Sequence, residues 1–295
     1  MQHPEQQYLE LLQDILDNGV DKEDRTGVGT RYVFSRTLRF PLRKSFPILT
    51  TKRVYWRGVV EELLFFLRGD TNSKHLEEKR VNIWKGNTSR EFLDNKGLSM
   101  LPEGEIGCSY SHQWRNFAGE HPLLPETKGL KGFDQVAYVL DKLKTNPYDR
   151  RMIISGWCPS QLHLQSLPPC HVAYFFNYNP AKNELNCHMT QRSCDTFLGV
   201  PFNLSSTALL TCLLAKAAGM NTGEITWTGV DVHLYKDHIE SGVVVEQISR
   251  EPRPFPTLNF KKDIKTLADI ENLEYDDLEL IGYKPHKKLK AKMAI

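Results

Sequence analysis

The sequence predicts an α+β fold, with helices and strands mixed but without a regular strand-helix-strand rhythm. Three observations carry that expectation. Long apolar runs recur at helical spacing over residues 8–18, 56–68 and 202–218. Alternating runs suited to half-buried strands fall at 31–40, 171–178, 184–192 and 224–234. Two of these strands are separated only by the turn sequence NPAKN at 179–183, which makes them an antiparallel hairpin.

From the N-terminus, Tyr8 to Asn18 places Leu11, Leu12, Ile15 and Leu16 on one helical face, with Gly19 as its stop. Arg31 to Phe40 reads as a strand. Trp56 to Arg68 (WRGVVEELLFFLR) is a strongly apolar helix that carries Glu61 and Glu62. The segment Ile83 to Lys131 is rich in Gly, Pro, Asn and charge, and is expected to be loops with short helices, a composition common in functional loops. Gly132 to Leu143 reads as a helix, then Arg151 to Trp157, His171 to Tyr178 and Glu184 to Arg192 as strands. Phe202 to Ala218 is a long apolar helix, and Glu224 to Leu234 and Val243 to Ile248 read as strands. The terminal KLKAKMAI ends apolar after a basic stretch, which suits docking on the body.

With 295 residues, 40% of them hydrophobic, the chain can fill a proper core. Without repeats or low-complexity linkers, residues 1–295 are expected to form one unit. The 38 Lys plus Arg against 36 Asp plus Glu leave +2, too near balance to attract nucleic acid by bulk charge, so any anion site must be built from local arginines. No apolar run reads as long enough to cross a membrane and the N-terminus lacks a signal pattern, so a cytosolic or nuclear location is expected. Six cysteines in such a chain read as reduced thiols. Cys170-His171 and Cys187-His188 are adjacent pairs whose side chains point to opposite strand faces, so no metal site is expected.

The chemistry-bearing candidates each have a plain alternative. Cys170, in LPPCHVAYFF, is either a nucleophile or a small buried hydrophobe. Arg192 in the neighbouring QRSCD would lower its pKa and stabilise a thiolate. Arg25 in DRTGVGT, Arg150 and Arg151 in DRRMII, and Arg192 could form an anion cradle, or be four separate surface ion-pair residues. Glu62 is either a buried proton handler or part of a solvated helix face, with Glu61 pointing elsewhere. Asp231, His233 and Tyr235 alternate along one strand, which puts them on one face. Asn203 could be a helix N-cap, and Trp84 and Tyr110 core aromatics.

DRTGVGT, FPILTTKR, EELLFFLRGDTN, DRRMIISGW, LPPCH, QRSCDTFLGVPFN, DVHLY, REPRPFP and the terminal MAI occur in the order found in thymidylate synthases, and the chain resembles that family from about Tyr8 to Ile295. The resemblance implies a homodimer built on a large twisted mixed sheet and dimerising through it. It also implies methylation of dUMP to dTMP with 5,10-methylenetetrahydrofolate as one-carbon donor and reductant. Carried over residue by residue, Cys170 is the nucleophile that adds to pyrimidine C6. Arg25 and Arg192 with Ser193 match the phosphate binders, Gln191 is a further substrate-binding residue, and Arg150 and Arg151 reach that phosphate from the partner subunit. Asn203 matches the reader of the uracil edge, and His233 and Tyr235 the contacts to the deoxyribose hydroxyl. Glu62 matches the acid that organises proton transfers, and Tyr110 the group supporting loss of the C5 proton. Asp195 matches a pterin contact, and Ile83, Trp84, Asn87, Leu198, Gly199, Phe202, Met293 and Ala294 the folate wall and lid.

Several positions depart from the family pattern. Lys85 stands where aspartate is usual. GCSYS replaces GPVYG, placing Cys108, Ser109 and Ser111 around Tyr110. GWC with Cys158 replaces AWN, while Phe175, Thr190 and Val230 replace glutamine, tyrosine and glycine. They are expected to gather on the folate side and around the nucleophile. Small polar residues such as Ser109, Ser111 and Thr190 keep a second outcome open, because water in place of hydride at the exocyclic methylene would make this a dUMP hydroxymethylase. A third reading, from another class, is a nucleotide or RNA binder that has lost the chemistry.

Overall fold

The computed structural model describes residues 2–293. Its main sheet has six strands, β1 (Val20–Lys22), β2 (Thr30–Pro41), β3 (Ile153–Ser155), β4 (His171–Asn179), β5 (Glu184–Asp195) and β6 (Asn221–Tyr235), in the order β1-β2-β6-β5-β4-β3. Strands β5 and β6 run parallel and the other neighbours are antiparallel, so the sheet is mixed. A separate ribbon pairs β7 (Thr257–Phe260) with β8 (Leu278–Ile281). The helices are α1 (Gln6–Asn18), α2 (Trp56–Leu67), α3 (Lys74–Glu78), α4 (Arg90–Asn95), α5 (Tyr110–Asn116), α6 (Gln135–Thr145), α7 (Gly199–Ala217), α8 (Lys236–Glu240), α9 (Val243–Ile248) and α10 (Leu267–Glu271).

The parallel pair explains the placement of α7. Two adjacent parallel strands need a crossover, and α7 supplies it between β5 and β6, burying nearly all its surface against both strands and α2. At 19 residues α7 is long and apolar enough to pass for a membrane span, contrary to the sequence expectation, but 83% of the apolar window is buried inside the fold, as for a core helix. It begins three residues before the expected Phe202, because Pro201 is tolerated in a first helical turn. Leu198 is its N-cap, so Asn203 sits inside the helix and is not a cap.

The two sheet faces differ. Leu38, Phe40, Ile225, Trp227, Met189, Cys187, Tyr174, Phe176 and Ile154 are buried against the helices. On the opposite face Thr37, Thr228 and Thr190 lie side by side, as do Thr226, His188, Phe175 and Ile153. That face is open, with Phe175 41% and Val230 37% exposed.

One expected strand is a helix. Val243 to Ile248 forms α9, which starts at Gly242 with φ 76° and turns Val244 and Gln247, three residues apart, inward. Gln247 Nε2 donates to Thr51 Oγ1 at 3.0 Å, so a tertiary bond and a left-handed glycine override the strand preference of three consecutive valines. The C-terminal segment docks through Leu289 in the core and the Lys292 carbonyl, 2.7 Å from His238 Nε2.

Candidate active site

The loop Pro168-Pro169-Cys170 leads into β4, beside the end of β5. All six cysteines are free thiols, and Cys170 alone is not fully buried. Its backbone N–H donates to the Tyr110 hydroxyl at 2.6 Å, and its carbonyl accepts from Arg192 N–H at 2.9 Å. The Arg192 side chain spans the same loop, donating from Nε to Pro169 O at 2.9 Å and from a terminal nitrogen to Pro168 O at 2.8 Å, with its guanidinium 5.3 Å from the Trp157 ring. Burial raises the Cys170 pKa, while the charge of Arg192 and the Tyr110 bond oppose the rise. Arg192 thus acts with the expected sign, but desolvation outweighs it in the free protein. The expected net lowering does not occur.

Glu62 is buried on α2, and burial pushes its pKa up to about 7 against a 2.8 Å bond from Trp84 Nε1. It is not on a solvated helix face, and neither is Glu61, which is buried with Lys79 Nζ at 3.0 Å and an Arg57 nitrogen at 3.6 Å. Helix α2 is apolar almost all round, so both acids enter the interior and are separated by their partners rather than by exposure. Tyr110, the first residue of α5, stacks on Phe66 at 4.8 Å and meets Trp84 edge-on at 6.0 Å. It therefore packs into the core and also links the Glu62 side of the site to Cys170.

Asn203, half-buried, accepts at Oδ1 from Gln191 Nε2 at 3.0 Å. Gln191 itself is buried behind it, with Oε1 bonded to Trp227 Nε1 at 2.9 Å. His171 lies under the same residues, its Nδ1 2.9 Å from the Tyr174 hydroxyl, and burial lowers its pKa to about 4 against the Asn203 amide. On β6, Asp231, His233 and Tyr235 share one face. His233 Nδ1 is 2.8 Å from Asp231 Oδ1, and the His233 and Tyr235 rings meet at 5.4 Å. Burial raises the Tyr235 pKa to about 12, the negative charges of Asp195 and Asp24 add to the rise, and the positive charge of Arg25 opposes it.

Asp195 Oδ1 accepts from the N–H groups of Phe197 and Leu198 at 3.1 and 3.0 Å, shaping the turn into α7. Ser193, Leu198, Gly199 and Phe202 are half-buried around it, and Ile83 and Asn87 flank the buried Trp84. A side chain on Gly58 would meet the Tyr55 ring at 2.6 Å and Phe202 at 3.1 Å, so glycine allows α2 to approach α7 here. Arg25 is exposed in a loop whose shape comes from Asp24, which accepts from the N–H groups of Thr26 and Gly29, and from the left-handed Gly27 and Gly29. Arg150 and Arg151 are exposed just before β3, at the opposite sheet edge from the Arg25 loop, and Arg151 pairs with Asp149 at 2.9 Å. The four arginines do not converge within one chain. Met293 is exposed and Ala294 lies outside the described residues.

The departures from the family pattern fall in three places. Phe175, Thr190 and Val230 belong to the open sheet face, where Phe175 stacks on His188 at 5.8 Å. Lys85 points to solvent, 3.4 Å from Glu77. Cys108, Ser109, Ser111 and Cys158 are buried packing residues. Sequence reasoning missed three residues here: Trp227, His171 as a buried support, and Lys52. Lys52 is buried beside Asp195, donates to the Phe197 carbonyl and lies over its ring, and burial lowers its pKa to about 7.

Two surface clefts of about 570 and 560 Å³, lined by Arg68 and Arg115 and by Arg53 and Arg57 among others, contain none of the predicted site residues. Among the described residues no group of three or more His, Cys, Asp or Glu side chains is placed to hold a metal ion.

Residues 6–295 match the family described as Thymidylate synthase. The chain is 48% identical over 294 residues to the bifunctional dihydrofolate reductase-thymidylate synthase of Leishmania amazonensis, covering 99% of this chain and 56% of that protein. It is 46% identical over 293 residues to the putative bifunctional dihydrofolate reductase-thymidylate synthase of Oryza sativa subsp. japonica, covering 99% and 58%. It is 47% identical over 294 residues to bifunctional dihydrofolate reductase-thymidylate synthase 1 of Arabidopsis thaliana, covering 100% and 55%. The chain thus spans little more than half the length of these curated relatives.

Proposed function

The chain belongs to the thymidylate synthase family, and from that premise we propose that it methylates dUMP to dTMP with 5,10-methylenetetrahydrofolate. The observation that carries the reading is Cys170, the one partly accessible cysteine, held between Arg192 and the Tyr110 hydroxyl. Addition of its thiolate to pyrimidine C6 makes C5 an enolate-like carbon, and the guanidinium balances the sulfur's charge before the bond forms. Asn203 reads the uracil edge, since an amide offers a donor beside an acceptor. His233, fixed by Asp231, and Tyr235 take the sugar hydroxyl. Glu62, near 7, can be carboxylic acid or carboxylate at neutral pH, as a group that exchanges protons during turnover must. Tyr110 supports loss of the C5 proton.

The half-buried Leu198, Phe202 and Ile83 and the buried Trp84 form an apolar, aromatic rim beside the polar Asp195, which fits a flat heteroaromatic ring with hydrogen-bonding edges. Bound there, the folate supplies the one-carbon unit and the hydride. The chain's own residues orient it and keep water away. The relatives' names favour this outcome over hydroxymethylation.

We further propose that a second copy covers the open sheet face, bringing its Arg150 and Arg151 to the phosphate beside Arg25 and Arg192. Supporting this are the exposed Phe175 and Val230 on that face and two arginines with no role in their own chain's site. Mass spectrometry of the product from dUMP and methylenetetrahydrofolate tests the reaction. The expected products are dTMP and dihydrofolate. Hydroxymethyl-dUMP with tetrahydrofolate would establish the hydroxymethylase instead, and no product would leave a binder.

A further inference from the structure

We propose that Trp227 and Gln191 decide which pyrimidine Asn203 accepts, by locking its amide in one orientation. The inference rests on the reading of Asn203 as the residue that meets the base edge. An asparagine amide is nearly symmetric in shape, so by itself it can present oxygen and nitrogen in either order. Uracil offers a carbonyl acceptor beside an N–H donor, whereas cytosine offers an amino donor beside a ring-nitrogen acceptor. The two bases therefore require opposite orders, and an amide free to turn would serve both.

The orientation is set from behind. Gln191 on β5 is 2% exposed and Trp227 on β6 is fully buried. The indole Nε1–H can only donate, and it meets Gln191 Oε1 at 2.9 Å. The Ser193 carbonyl can only accept, and it takes one Gln191 Nε2–H at 3.0 Å. These two one-way partners fix which end of Gln191 is nitrogen. Its second N–H then points at Asn203, which must answer with Oδ1, at 3.0 Å. Turning Asn203 over would set donor against donor in a dry interior. The backbone makes room for this chain of bonds: Gly229 pairs with Gln191 across the sheet, and a Cβ there would lie 2.5 Å from the Trp227 ring.

Trp227 and Gln191 are positioning residues, and the readout is selectivity rather than rate. Calorimetric binding of dUMP and dCMP to the wild-type dimer should favour dUMP. Gln191→Leu removes the lock, and the dUMP preference should fall about 10- to 100-fold, chiefly by gain of dCMP affinity. Trp227→Phe removes one of its two anchors and should shift the preference in the same direction by less. Trp227→His keeps a ring N–H and should retain the wild-type preference. The Gln191→Leu/Trp227→Phe double variant should lose no more than Gln191→Leu alone. Should Trp227→Phe fail to fold, Gln191→Leu carries the test. An unchanged preference in Gln191→Leu, or equal weakening of both nucleotides, overturns the proposal. A wild-type protein that binds neither nucleotide sinks the functional reading itself, which is a separate failure.

Discussion

The half of the site proposed to read the base and the half proposed to bind phosphate are built on opposite plans. In the first, Asn203, Gln191, Trp84, Glu62 and Tyr110 are each bonded to another protein group and lie in or against the core. In the second, Arg25 and Arg150 have no hydrogen-bond partner among the described residues, and Arg151 is 81% exposed despite its bond to Asp149. The physical difference is the cost of waiting. A neutral amide or phenol can be buried at small cost once it is hydrogen-bonded, and it is then ready without reorganisation. An unpaired guanidinium held dry would cost several kcal/mol, so it is better left in water until a dianionic phosphate arrives. Arg192 stands between the two plans, its guanidinium parked on the Pro168 and Pro169 carbonyls.

The largest break of this contrast removes the centre of the organised half. Cys170→Ser should lower turnover by about 10⁴-fold or more, because the bond to C6 cannot form. It should also abolish the covalent adduct with 5-fluoro-dUMP and folate, read by mass spectrometry of the intact chain. Full activity in this variant would remove the nucleophile from the scheme.

Glu62→Gln comes next, with an expected loss of about 10²- to 10³-fold. Its signature is the pH profile. Burial raises the wild-type carboxyl to about 7, so the carboxylate form grows as pH rises through neutrality and the rate of any step needing it grows with it. In the glutamine variant that limb should vanish. The same raised pKa means that this group costs stability as pH rises from its unfolded value near 4.5 toward 7, a cost the amide relieves. A variant that is slower yet keeps the limb would assign the titration to another group.

The loosely built half makes a softer prediction. Arg151→Glu should cost about 10²-fold, mostly in KM for dUMP. If the residue serves the neighbouring subunit, mixing this variant with Cys170→Ser should restore activity to about a quarter, since half the dimers then contain one intact site of two. Measured at dUMP well below the variant's KM, recovery no greater than the sum of the two parents would place Arg151 outside the site.

How much of this was visible in the sequence follows the same division. Elements made by local periodicity were legible: the hairpin of β4 and β5, the apolar α2 and α7, and the shared face of Asp231, His233 and Tyr235. What depended on distant partners was not. Glu61 reads as pointing away from Glu62, yet it too is buried, because its partner Lys79 is 18 residues further on and belongs to no motif. The valines of α9 suggested a strand because the bond from Gln247 to Thr51 spans 196 positions. Phe175, Thr190 and Val230 sit close in sequence to catalytic motifs, yet strand alternation sends them to the open face. The sign of the Arg192 effect on Cys170 was legible from adjacency, but the burial that outweighs it appears only once the loop is folded.

The smallest effect at neutral pH tests how the organised half is held from behind. Helix α5 carries Tyr110 and, two residues on, His112, which is buried 5.2 Å from the ring of His121. Burial first, and the neighbouring imidazole second, lower the His112 pKa to about 4. The unfolded chain takes up a proton on this residue near 6.5, and the folded chain resists until about 4, so stability is lost as pH falls through that window. At pH 5 the loss should be about 2 kcal/mol. His112→Phe replaces the imidazole with a ring that cannot charge, so its urea midpoint should fall less between pH 7 and pH 5 than the wild-type midpoint. Because His112 touches neither Cys170 nor Asn203, turnover at pH 7 should stay within about twofold of wild type. Equal acid sensitivity in the two proteins would mean that α5 is secured by its packing on α2 and α6 alone, and that protonation beneath Tyr110 is not resisted by the fold.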